Sequence, residues 1–178
     1  MWAVSQAAPM RRVILNATTF LFHHCGGPQY VSGGFFADDS FGRTVINAGQ
    51  KQYSTRNTNL NGWSNGVWNQ VFMGDNGGPA QSLGPGTQQY TTLTTTPVSQ
   101  EQPFLYRDTT GGGLKGFVPA VRKTSVGPDY AGGAAPGCSL PIDRFFIADP
   151  STPVSRSTPH CHANAGNSGK PQDVISYP

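Results

Sequence analysis

Two short strings combine residue types that can bind metal, His23-His24-Cys25 and His160-Cys161-His162. Zinc needs three or four converging ligands. On a strand, His23 and Cys25 share a face and His24 points the other way. The first string therefore offers at most two ligands, and packing inside the fold is the preferred reading. Neither a metal nor any other cofactor is expected. Asp38 and Asp39 are the only adjacent carboxylates. Hydrolysis of a glycosidic bond uses two carboxyl groups roughly 5 to 10 Å apart, and strand neighbours cannot both face one sugar. A lyase alternative would put Asp38 on calcium with Arg56 as the base. The plainer alternative stacks Asp38 with Asn16 and Asn57 at a corner of the fold and leaves Asp39 solvated. Trp63 and Trp68 have ring faces that suit the apolar side of a pyranose, or they close an end of the fold. The candidate glycan contacts are thus Trp63, Trp68 and Asp38, and no catalytic residue is assigned. There is no Gly-x-Ser-x-Gly nucleophile turn and no phosphate-cradling loop.

The elements that would position these residues are short strands. Val13-Ile14-Leu15-Asn16, Phe35-Phe36-Ala37-Asp38, Tyr53-Ser54-Thr55-Arg56-Asn57 and Val71-Phe72-Met73-Gly74-Asp75 form a loose repeat, their ends 22, 19 and 18 positions apart. A period near 20 fits a solenoid whose coils each add one strand to a parallel sheet, because one coil cannot bury its own apolar face. The spacing predicts stacked parallel strands from Val13 to Met73, with Asn16, Asp38 and Asn57 up one corner. Residues 76–103, with Gly77-Gly78-Pro79 and Leu83-Gly84-Pro85-Gly86, predict an extended linker with little to bury. Phe104–Arg107 and Phe117–Val121 flank a Gly-rich turn and predict a hairpin, with Pro119 confining its strand to an edge. Phe145–Ala148 predicts one more strand. The fold class is all-β, a partial right-handed parallel β-helix followed by a connector. Its divisions are 1–75, 76–155 and an irregular tail, 156–178.

Composition agrees. Charged residues make up 12% of the 178-residue chain, with 23 Gly and 15 Pro, a mix that disfavours helix. The net charge of +3 comes from scattered Lys and Arg, so no basic stripe for nucleic acid is visible. No stretch suits a membrane span or a signal peptide. Cys25, Cys138 and Cys161 leave either one disulfide and one thiol or three thiols.

Several strings resemble known proteins. Arg12–Ala17, His23–Gly27, Tyr30–Phe35 and above all Trp63–Phe72 look like large secreted proteins with two tandem β-helices. Their architecture is similar to glycoside hydrolase family 55 β-1,3-glucanases and the pectate-lyase superfamily. Tyr90–Leu93, Thr96–Ser99 and Pro103–Tyr106 resemble the passage between the helices, and Phe145–Ala148 the start of the second. The resemblance implies the last coils of a first helix, an extracellular parent, a polysaccharide partner and a second β-helix beyond this chain. In such glucanases the catalytic acid is a Glu on the second helix. The only Glu here is Glu101, in the connector, so the segment is expected to be non-catalytic. The alternatives are a carbohydrate-binding or structural β-helix without activity, and a pectate-lyase-like enzyme. Some similar proteins carry an adenylyl cyclase label, which nothing in these residues supports. The resemblance stops at Ser155. Bases encoding Ser157-Thr158-Pro159-His160 can be read in another frame as Ile-Asn-Ala-Ala, the expected continuation, which suggests a frameshifted tail. An array of about four coils without caps is expected to be marginally stable, with protease cuts between Asn76 and Gln102 and after Ser155.

Overall fold

The computed structural model describes residues 9–22, 33–47, 52–64, 69–84, 89–129 and 135–144. These fall into two compact units, 1–99 with 122–134 and 100–121 with 135–178. Among the described residues no helix is long and apolar enough to cross a membrane.

The first unit is a three-sided parallel β-helix. Its first side is a five-stranded sheet of β1 (Pro9–Arg11), β4 (Gly33–Ala37), β7 (Gln52–Arg56), β10 (Gln70–Met73) and β11 (Tyr90–Leu93), all parallel. The second side stacks β2 (Ile14–Leu15), β5 (Ser40–Phe41) and β8 (Asn59–Leu60). The third stacks β3 (Thr19–Phe20), β6 (Val45–Ile46) and β9 (Trp63–Ser64). Along the first side the register pairs Pro9 with Phe35, Phe35 with Ser54, Ser54 with Val71 and Val71 with Thr91. The coils are therefore 26, 19, 17 and 20 residues long, which bears out the period near 20. Alternation sends Phe36, Tyr53, Phe72 and Tyr90 inward. There they meet Phe41, Leu60, Val45 and Leu21 in one core. Neighbouring rings touch along the axis: Phe36–Tyr53 at 5.3 Å, Tyr53–Trp63 at 5.8 Å, Trp63–Phe72 at 5.1 Å and Phe72–Tyr90 at 5.6 Å. Tilted and edge-on contacts of this kind add to the burial gain.

Three sequence expectations need correction. The corner after the first side is made by Arg12, Asp38, Asn57 and Gly74, with φ of 56°, 56°, 51° and 59°. Asp38 and Asn57 belong to it, but Asn16 does not. The strand that precedes the corner in the first coil is Pro9-Met10-Arg11, whose opening proline suits a strand start. The apolar run ending at Asn16 forms the second side instead. Leu15 pairs with Phe41 and Phe41 with Leu60, so Asn16 stands in register with Gly42 and Asn61. Residues 76–103 are also not a bare linker. Tyr90–Leu93 completes the parallel sheet, and Tyr90 is buried in the core. β12 (Thr96–Ser99) pairs antiparallel with β15 (Arg122–Ser125).

The third correction lies in the second unit, a three-stranded antiparallel sheet in the order β13 (Phe104–Arg107), β14 (Leu114–Pro119), β16 (Gly137–Pro141), followed by a 3-10 turn at Ile142–Arg144. The hairpin forms as expected, but Pro119 sits in the central strand. Ala120 donates its N–H to Pro136 on the β16 side, so the nitrogen of Pro119 faces the β13 side. There β13 has already ended at Phe104, opposite Phe117. The missing donor costs no ladder bond. Phe145–Ala148 and the tail 156–178 lie outside the described residues.

Candidate functional site

The densest polar feature of the helix is its first corner. A left-handed residue in every coil is tolerated by Asp, Asn and Gly, and the stack turns their side chains into a buried column. Asp38, Asp39 and Asn57 are fully buried. The β12–β15 ribbon supplies partners to Asp38 and Asn57. Arg122 donates from Nη1 to Asp38 Oδ1 at 3.1 Å and from Nη2 to the carbonyl of Gly127 at 3.0 Å. Arg12 Nη2 lies 4.0 Å from Asp38 Oδ2. Ser125 donates to Asn57 Oδ1 at 3.0 Å, and Asn57 Nδ2 donates to Ser99 at 3.5 Å. Thr96 donates to the carbonyl of Met73 at 2.9 Å, and the N–H of Gly127 to that of Gly74 at 2.8 Å. Gly74 is required here, since a Cβ would lie 2.4 Å from the carbonyl oxygen of Ser125. Arg122, Ser99 and Ser125 were not singled out from sequence. Arg122 is 84 positions from Asp38, and no local pattern marks the pair.

One step past the corner, Asp39 and Asp75 sit in equivalent positions two coils apart. Val13 donates its N–H to Asp39 Oδ1 at 2.8 Å, and Thr58 donates its N–H to Asp75 Oδ1 at 2.7 Å. Thr55 donates its hydroxyl to the second oxygen of Asp75. Burial pushes both carboxyls up to about 7. That value would suit a general acid in a glycosidase. Here it comes from carboxyls holding adjacent coils together, and structural burial shifts a pKa as effectively as a catalytic site does. A concavity of about 580 Å³ lies along residues 9–11 and 13–19 and is lined by no carboxylate.

The sequence candidates are placed as follows. Asp38 is fully buried and paired with Arg122. Arg56 stands on the outer face with its guanidinium 5.3 Å from the ring centre of Phe35, so the lyase pair is not assembled. Trp63 is partly buried and packs against the core between Tyr53 and Phe72. Trp68, His23, His24, Cys25 and the His160-Cys161-His162 string lie outside the described residues. Among the described residues no group of three metal-ligating side chains converges. Asp39, expected to be solvated, is buried because it bonds the coil above it.

No profile of a known protein family matches the sequence. An exo-β-1,3-glucanase of Streptomyces sp. (strain SirexAA-E / ActE) is 45% identical over 149 residues, which is 84% of this chain and 24% of the glucanase. The chain is homologous to family 55 glycoside hydrolases over this span. The solved structure of sacteLam55A from Streptomyces sp. SirexAA-E matches with a TM-score of 0.75 and 43% identity, covering 85% of this chain and 26% of that enzyme. A variant of sacteLam55A in complex with glucose matches at 0.73 and 41% identity, with the same coverage. The chain thus spans about a quarter of the length of these glucanase relatives, and the β-helix is the part of its fold that carries the corner column.

Proposed function

We propose that this chain is a non-catalytic portion of a secreted, polysaccharide-active β-helix protein of the glucanase type, supplying coils and a corner clasp rather than a reaction centre. The observation that carries the reading is the state of four carboxylates, Asp38, Asp39, Asp75 and Glu101. Asp38 is ion-paired under Arg122, Asp39 and Asp75 hold adjacent coils together, and Glu101 is buried. These four are buried in the packing, whereas glycoside hydrolysis needs a pair of carboxyls presented to the bond it cleaves. Homology to an exo-β-1,3-glucanase over 84% of the chain supports the polysaccharide class. Cys138 is disulfide-bonded, which supports an oxidising, extracellular setting. In this reading the first β-helix runs through Leu93, and the passage toward a second β-helix lies beyond it. The test is incubation of the purified chain with laminarin and quantification of released sugar. No release is expected. Turnover abolished by Asp39→Asn or Asp75→Asn would overturn the reading by placing the reaction in the corner column.

A further inference from the structure

We propose that Asn16 is the acceptor for an N-linked glycan, attached as the chain passes through a secretory lumen. The proposal rests on the secreted part of the reading above and adds a modification site to it.

Asn16-Ala17-Thr18 is the one Asn-x-Ser/Thr triplet in the sequence. The motif pairs the amide that becomes glycosylated with a hydroxyl two residues on, and Ala17 avoids the proline that blocks it. Three residues recur by chance, so the place of the triplet in the fold decides whether it can be used. The triplet forms the corner between β2 and β3, and Asn16, Ala17 and Thr18 are all exposed. Asn61 stands in register with Asn16 two coils away, but it donates its amide to the carbonyl of Gly42 at 2.9 Å. Asn57 has a threonine beside it at the wrong spacing and is fully buried.

A glycan also needs room. The concavity of about 580 Å³ along residues 9–11 and 13–19 adjoins all three residues of the triplet, so open volume lies beside the acceptor amide. Ile14 precedes Asn16 by two positions, faces the same side by strand alternation and is 59% exposed. A sugar chain on Asn16 would cover this apolar side chain with a bulky, solubilising group. The step is a substitution at the first sugar. Asn16 Nδ2 bonds to the anomeric carbon of an oligosaccharide carried on a lipid diphosphate. The bond from that carbon to the diphosphate breaks, the lipid diphosphate leaves, and the amide releases one of its two protons to water.

The test is secretion of the full 178-residue chain from yeast behind a cleavable signal sequence. Intact mass is read before and after digestion with peptide-N-glycosidase in heavy-oxygen water. One glycan per chain is expected, and its removal should leave the heavy-oxygen label at position 16. Asn16→Gln and Thr18→Ala should each abolish the mass shift, whereas Thr18→Ser should keep it. Protein retained in the cells is analysed in the same way, so poor secretion of a variant does not hide the result. A parent chain without a glycan overturns the proposal, as does a glycan that survives Asn16→Gln or a label at another position. The secreted reading is checked separately on the same protein through Cys138, which is disulfide-bonded. Alkylation of Cys138 without prior reduction would count against that reading and leave the glycan result to stand alone.

Discussion

Replacing Arg122 with Met tests whether the β12–β15 ribbon locks the helix corner. Asp38 is fully buried, and its described partners are Arg122 at 3.1 Å and Arg12 at 4.0 Å. Arg122 also donates to the carbonyl of Gly127 at 3.0 Å. Met retains much of the stem packing but removes both hydrogen bonds and the charge facing Asp38. Breaking a buried pair from one side costs about 3 to 5 kcal/mol, because the remaining charge is left in low dielectric. Arg12 stays close enough to offset part of this, so the lower end, about 3 kcal/mol, is expected. Against a total stability on the order of 5 to 15 kcal/mol, the variant should unfold at a clearly lower urea concentration. Removing the other partner should cost less. Asp38→Asn leaves Arg122 and Arg12 partly exposed, at 15% and 18%, and water can solvate them. The double variant should therefore be more stable than the two single losses added together, with a coupling of at least about 1 kcal/mol. Urea melts followed by far-UV circular dichroism supply the four values. An Arg122→Met variant within about 0.5 kcal/mol of the parent, or a cycle that closes additively, would show that the ion pair does not hold the ribbon.

The column also predicts a pH response. The Asp39 and Asp75 carboxyls titrate near 7 when folded and near 3.8 when unfolded. The folded state therefore holds protons that the unfolded state has released. Their contribution is fully present below about pH 4 and is lost as pH rises through 7, on the order of 4 kcal/mol for Asp39 by linkage. The urea midpoint should fall from pH 5 to pH 8, and Asp39→Asn should flatten that fall; a midpoint that rises instead would refute the linkage. Asp108 is displaced the other way by Lys115 and Thr110, so its contribution is lost only as pH drops below the ordinary carboxylate range and does not mask the window. Gly74→Ala places a Cβ against the Ser125 carbonyl at φ +59° and should cost more than about 2 kcal/mol, readable as a lower melting temperature. Trp63→Leu should lower stability by about 2 to 4 kcal/mol through lost ring contacts, and a urea midpoint equal to the parent's would show that the ring does not support the core.

The sequence by itself determined the class of fold. A short strand recurring about every twenty residues, with few charges and many turn formers, leaves a stack of coils as the way to bury one face of each. Asp38 and Asn57 were legible as corner residues because each ends one of the repeated strings and each tolerates left-handed backbone. The register of the first coil was not legible. Val13-Ile14-Leu15 reads as a short strand and Pro9-Met10-Arg11 does not, and only pairing with Gly33–Ala37 shows that the latter leads into the corner. The same limit hid Tyr90–Leu93, whose Tyr-Thr-Thr-Leu string resembles linker until Phe72 and Gln70 stand beside it. Asp39 illustrates the point at a single residue. Its neighbours in sequence suggest a solvated carboxylate, yet the coil above supplies a backbone N–H and excludes water. Trp63 shows it again: the ring's type suggested a sugar contact, and the turn of the coil sent it inward. Arg122 reached Asp38 only because an antiparallel ribbon folded back across the corner. Local sequence sets what each coil can contribute. Contacts between coils, made by residues many positions apart, set which side chains are buried, charged or open to a ligand.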